Sequence, residues 1–470
     1  MKKIPYLEIK KQLSFLIPEQ YNDAMSYQEL LYSVINLINE MAENINEIPN
    51  TIEDDVKAEI DKLVADGTLE NMINQTIFND LNKKVDDYAK ITAEVETIVG
   101  KFVTPELFGA YGDGQRDDTA EFNQAITKAK KNNWCLLLLG EYKISAPLSP
   151  FENLHVFAIN GRIHSTYTGA ENLITFNNCD ISGLRVVSNK NHTGAVFFSD
   201  DFNNAKFTDV TIYYGNVGIH VNKGADKNGF GLHVNNFNIS DCIECGLKIE
   251  NCADIFIADG IINKCGVGII ADKSDGLYCS NVDLISCEYA FRGYCYTGNL
   301  GSCFFSNVLF DTSEKDNFRI DGTSGSYIAT SLHFSNCWFS NNKSAAGCFL
   351  SLVRLAEITG CIFQYSKSVG LNIDKSQNIK ITGCSFYANS EKNNANIILT
   401  SCDGVIVNGC SIGGLGTGAF AGRGGNRSIY MSNCTNSIIV NNRAFDNTAN
   451  DILGAESEAI VKNNIGITDK

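Results

Sequence analysis

ITGCSF, residues 381–386, puts a cysteine behind a glycine, with an apolar residue three positions before the cysteine and a phenylalanine two after it. The same chord sounds in FSNCWF (334–339), ITGCIF (358–363) and VNGCSI (407–412). With Cys384 as the reference, equivalent positions are Leu184, Val210, Phe237, Gly260, Val282, Val308, Cys337, Cys361, Cys410 and Cys434, in steps of 22 to 29 residues. The residue before each reference is Gly, Asn or Asp, from Gly183 and Asp209 to Gly409 and Asn433. These are the types that tolerate the left-handed backbone region. Three positions before the reference every residue is apolar, from Ile181 to Met431. Two positions after it ten of eleven are apolar, and Asn436 is the exception.

A period of this length is the mark of a solenoid. One strand ends on an apolar residue, a left-handed residue turns the corner, and the next strand points its first and third side chains inward. Three short strands per turn, with turns about 4.8 Å apart, predict a parallel β-helix of eleven to twelve coils. Leucine-rich repeats have a similar length but need L-x-x-L-x-L-x-x-N, which is absent. The cysteines then read as small interior hydrophobes. CIEC (242–245) has metal-ligand spacing but no second such pair, and Cys242, Cys265 and Cys287 read as a second interior ladder. No metal, disulfide framework or cofactor is expected.

The 470 residues carry a formal net charge of −16. A nucleic-acid binder would need a basic surface, so that class is excluded. No apolar run approaches the roughly 20 residues of a membrane span, and MKKIPYLEIKKQLSF does not read as an export signal. Seventeen cysteines without such a signal suit a chain made in a reducing cytosol. Residues 1–100 read differently from the rest. Leu31, Val34, Ile38, Met41, Ile45 and Ile48 follow a/d heptad spacing up to a break at Pro49, and after a second break near Gly67 a further helical stretch carries Ile77, Leu81, Val85, Tyr88, Ile91, Val95 and Ile98. This segment is expected to be a helical stalk that oligomerises. Residues 101–150 are expected to hold a loop, a helix and the first strands, and 151–470 the β-helix proper.

FGAYGDGQRDDTAEFNQAI (108–126) joins the two regions. Asp118 and Glu121 have capping-box spacing, and Phe122, Ala125, Ile126 and Ala129 form one apolar helix face. The segment resembles the opening of pectate-lyase-superfamily proteins, where F-G-A-x-G-D-G-x-x-D-D-T precedes a helix that caps a right-handed parallel β-helix. A helical stalk joined to such a β-helix resembles a bacteriophage tail spike or appendage. The resemblance implies a virion protein, commonly a homotrimer. Its N-terminus would attach to tail or neck proteins, and its β-helix would bind a host cell-surface or cell-wall glycan and often cleave it. The galacturonase signatures N-T-D, G-H-G and R-I-K do not occur, which argues against pectin as substrate. Asp113, Asp117 and Asp118 are expected to be loop and cap residues.

The ruler set by Cys384 also says what faces out, namely the first and third positions after each reference. Tyr213, Asp283, Asp311, Trp338, Gln364 and Tyr387 fall there, and Trp338 suits stacking on a sugar. Asp283 and Asp311 are expected as diagonal neighbours on adjacent coils, about 7–8 Å apart. Inverting glycosidases hold their carboxyl pair about 6.5–9.5 Å apart. Glu250 and Asp272 are expected to stack directly, near the roughly 5 Å of retaining pairs. His220, Lys248 and Arg292 are expected in a row beside them, where they would suit an acidic sugar. The expected function is glycan binding with cleavage by such a carboxylate pair, or adhesion without cleavage.

Overall fold

The computed structural model describes Ala58 and residues 101–467, apart from 297, 323–327, 390–394, 415–426 and 446–457. The stalk expected over residues 1–100 therefore lies, but for Ala58, outside the described residues. From Val103 onward the chain winds as a right-handed parallel β-solenoid. Among the described residues one face is a sheet of twelve parallel strands, one strand per coil, from Leu148–Glu152 to Arg427–Ser432. The other sheet wraps the remaining faces with 27 strands.

The left-handed corner is where the sequence put it. Asp209, Asn236, Asp259, Asn281, Asn307 and Asn336 have φ between 48° and 56°, and Gly360, Gly383 and Gly409 between 61° and 67°. A single residue in this region turns the chain without breaking its register. In the middle coils the two strands flanking the corner accordingly fuse into one, as in Gly229–Ser240, Ala253–Asn263 and Asp275–Ile285. The expectation of three separate short strands holds only where the corner interrupts pairing, as between Leu300–Ser306 and Leu309–Asp311. Side chains cross-link the corners along the axis: Asn281 Nδ2 donates to Asp259 Oδ1 at 3.0 Å and Asn307 Nδ2 to Asn281 Oδ1 at 3.3 Å.

Inside, like stacks on like. Phe310, Phe339, Phe363 and Phe386, each two residues after a reference, stack with centroid spacings of 4.8, 4.5 and 4.6 Å. Cys337, Cys361, Cys384 and Cys410 form the neighbouring ladder and are buried. The Cys384 thiol points at the Ile358 and Thr382 carbonyls, both at 3.4 Å. Cys242, Cys265 and Cys287 form the second ladder, at the next corner, and Ser313, Asn342, Ser366 and Asn389 continue it as buried polar residues.

Cys434 does not belong to the first ladder. The strand Arg427–Ser432 pairs with Ala395–Thr400, Thr400 opposite Ser432, so Cys434 stacks over Cys402 at a different corner. The true equivalent of Cys410 is Asn442, since Ser411 pairs with Arg443. Its amide is buried and satisfied: the Cys410 N–H donates to Asn442 Oδ1 at 2.9 Å, and Asn442 Nδ2 donates to the Val407 carbonyl at 3.0 Å. Two positions on, Ala444 is buried. The exception at Asn436 reflected this shift, since the step from Cys410 to its equivalent Asn442 is 32 residues, longer than any of the steps counted from the sequence.

The helix Thr119–Asn132 buries Phe122, Ala125, Ile126 and Ala129. Phe122 meets the Tyr142 ring edge-on at 5.2 Å. Asp118 precedes the helix but makes no capping-box bond. Its fully buried carboxylate turns back and accepts the Tyr111 and Gly112 N–H groups at 2.8 and 3.2 Å. Asp117 takes over at the helix start, accepting the Thr119 N–H at 3.1 Å. Asp113 accepts the Gln115 and Arg116 N–H groups at 2.8 and 3.1 Å. The three aspartates fasten a loop whose own backbone needs acceptors.

Candidate functional site

Every reference position but Gly260 carries a side chain that fills the corner. A Cβ there would lie 2.4 Å from the Phe237 ring, so Phe237 leans into the vacant space. Above it opens a hollow of about 530 Å³, walled by Asp209, Asn238, Asp259, Ile261 and Asp283. Asp283 forms its edge, between Ile261 and Leu309 in the same cross-coil row.

Asp311 lies diagonally from Asp283. Leu309 pairs with Asp283 and Asp311 pairs with Ile285. Partial burial, reinforced by the Asp311 charge, raises the Asp283 carboxyl above the usual aspartate range. Asp311 instead accepts a hydrogen bond from Asn341 Nδ2 at 3.2 Å. Two carboxyl groups in unlike surroundings are the arrangement from which acid and base roles divide.

Trp338 follows Leu309 in the Asp283 row and is 44% exposed. Gln364 and Tyr387 follow Ser340 in the Asp311 row. Asp283, Asp311, Trp338, Gln364 and Tyr387 thus share one face over consecutive coils. Tyr213 stands in the Asp311 row too, but on the far side of Ser240, Asn263 and Ile285, with the Arg185 guanidinium 5.0 Å from its ring centre.

The remaining candidates lie on the twelve-stranded sheet. Glu250 pairs directly with Asp272, and His220, Lys248, Ile270 and Arg292 form one row beside them. The bases of this row are matched by acids. His220 Nε2 lies 2.6 Å from Glu250 Oε2, Lys248 Nζ 2.9 Å from Glu244 and 3.8 Å from Glu250, and Arg292 3.3 Å from Asp321. The hydrogen bond from His220 lowers the Glu250 carboxyl, with help from Lys248. A charge-balanced network of this kind leaves no uncompensated basic row for an acidic sugar.

Asp321, Arg319 and Tyr294 complete this cluster and were not anticipated. Tyr294 and Asp321 continue the Glu250–Asp272 row, and Arg319 continues the row of Arg292. Arg319 Nη1 pairs with Asp316 at 2.8 Å and its Nε with Asp321 at 2.7 Å, while the Arg292 guanidinium lies 4.7 Å from both the Tyr289 and Tyr294 ring centres. Counting the coil period forward from Asp272 would have reached them. Among the described residues no cluster of three His, Cys, Asp or Glu side chains is arranged to hold a metal ion.

No protein-family model matches the sequence, and no curated protein matches it. Solved structures do match the coil geometry. Tailspike protein 3 of bacteriophage CBA120 superposes over 89% of this chain and 69% of its own, with a TM-score of 0.53 and 15% identity. The fold is shared with a phage tailspike. The A-module of the Azotobacter vinelandii mannuronan C-5 epimerase AlgE4 matches over 76% of this chain and 99% of its own (TM-score 0.50, 15% identity). The pre-mature gene product 12 of bacteriophage phi29 matches over 81% and 58% (TM-score 0.52, 13% identity). At these identities the tailspike likeness is one of fold.

Proposed function

We propose that the protein is a bacteriophage tail spike or appendage that binds a host cell-surface polysaccharide and cleaves it by glycoside hydrolysis. The observation that carries the reading is the unlike pair Asp283 and Asp311. They sit diagonally on the face that presents Trp338, with Asp283 at the edge of an open hollow. Asp283, whose carboxyl is raised by partial burial and by the Asp311 charge, is the proton donor to the leaving glycosidic oxygen. Asp311 accepts a proton from the water that attacks the anomeric carbon, and the diagonal separation of about 7–8 Å leaves room for that water. The shared fold of a phage tailspike and a mannuronan epimerase supports the context. In this reading the chain works on the virion tail, attached through residues 1–100.

The full chain, incubated with host-wall polysaccharide, is expected to release reducing ends. Asp283→Asn and Asp311→Asn are each expected to lower kcat by about 10²–10⁴-fold while the glycan still binds. Cleavage at the unaltered rate by both variants would remove the pair from the mechanism. Binding with no release by the unaltered protein would favour the second reading, an appendage of the same fold that only adheres.

A further inference from the structure

Five outward side chains on successive coils, His233, Phe256, Tyr278, Phe304 and His333, stack ring on ring in register. Their centroids are 4.6, 4.9, 5.1 and 4.8 Å apart and their planes lie within 10° of parallel. This row belongs to the strand segment before the left-handed corner, and Asp283 to the segment after it. Tyr278 and Phe304 are 37% and 36% exposed. Four coil steps of about 4.8 Å make the row a ridge about 19 Å long. It begins beside Lys206 and ends at Glu357.

The ring faces are spent on one another, so the ridge offers edges outward. A sugar stacks on a ring face, and between the two ends none is open, which argues against a glycan as occupant. The row on the corner side is low and uncharged: Asn235, Ala258, Ser280, Ser306 and Ser335. Neither row contains a carboxylate. In a chain of net charge −16, two copies meet with least repulsion along such a stripe. A ridge of ring edges beside a shallow trough also fits a heterologous contact that closes into a ring.

We infer that the His233–His333 ridge is the contact between copies of this chain, packed into the trough of a neighbouring copy. The inference rests on residues 25–99 being an oligomerising stalk, whose heptad seam would bring the copies side by side. The test places a photocrosslinking amino acid at Tyr278 of the full chain, with Asn222 on the twelve-stranded sheet as control, and measures mass by light scattering. The expected result is an oligomer that crosslinks chain to chain from position 278 and not from 222. Tyr278→Glu combined with Phe304→Glu is expected to raise the concentration at which the oligomer dissociates by about tenfold or more. An oligomer without the crosslink at 278 overturns the ridge but leaves the stalk. A monomer overturns both. Crosslinking of position 278 to added host polysaccharide in place of a second chain also overturns the inference.

Discussion

Asp283 carries two opposed consequences. Partial burial and the Asp311 charge raise its carboxyl in the folded state above its unfolded value. Below the unfolded value both states are protonated, and ionisation costs folding nothing. As pH rises through the unfolded value toward the folded one, the unfolded chain ionises first and stability falls. Asp283→Asn cannot ionise. Its melting temperature is therefore expected to match the unaltered protein at pH 3 and to exceed it at pH 7, while glycan cleavage is lost. A variant less stable at pH 7 would show that Asp283 is held ionised by partners. This residue was legible because alternation from Cys384 assigns a face to every position near the corner. Arg319, Asp321 and Tyr294 were reachable only by counting the coil period forward from Asp272 on the twelve-stranded sheet, where the step is 22 residues to Tyr294 and then 27 to Asp321, so that no fixed spacing singles them out.

At the scale of elements, the loop before the helix Thr119–Asn132 depends on one buried carboxylate. Asp118→Ala would leave the N–H groups of Tyr111 and Gly112 without their acceptor inside the fold, at a cost of about 1–3 kcal/mol. Urea unfolding would read this as a lower midpoint with an unchanged slope. The same change at Asp113, whose bonds are exposed, is expected to cost less than half as much. The helix and its buried face were readable from spacing. The capping box was not real, because capping-box spacing says nothing about where a side chain turns once a nearby loop offers two unpaired donors. The coils were readable down to the conformation of the corner residue. The slip at Cys434 has an equally local origin: a long coil brought a cysteine behind an asparagine at the wrong corner. Only the misfit two positions later, at Asn436, betrayed it.

For the whole molecule, repetition decides reactivity. Of the seventeen cysteines all but Cys135 are buried, and none is in a disulfide. Burial pushes the Cys279 and Cys303 thiols well up, away from the thiolate that reacts. The native chain is expected to titrate with about one fast thiol against an aromatic disulfide reagent, and with all seventeen only after denaturation. Several fast thiols in the native protein would show that the coils open. The stacking that hides the thiols has a mechanical side as well. Adjacent coils such as those of Ala253–Asn263 and Gly229–Ser240 are joined by nine register pairs on one sheet, and their neighbours on the other sheet by five. These bonds lie nearly along the long axis. A tug along that axis must strain every bond of a junction together, so no single rung can fail first. Tension applied at one end is delivered to the other with little stretch, as it would be by a stiff cable.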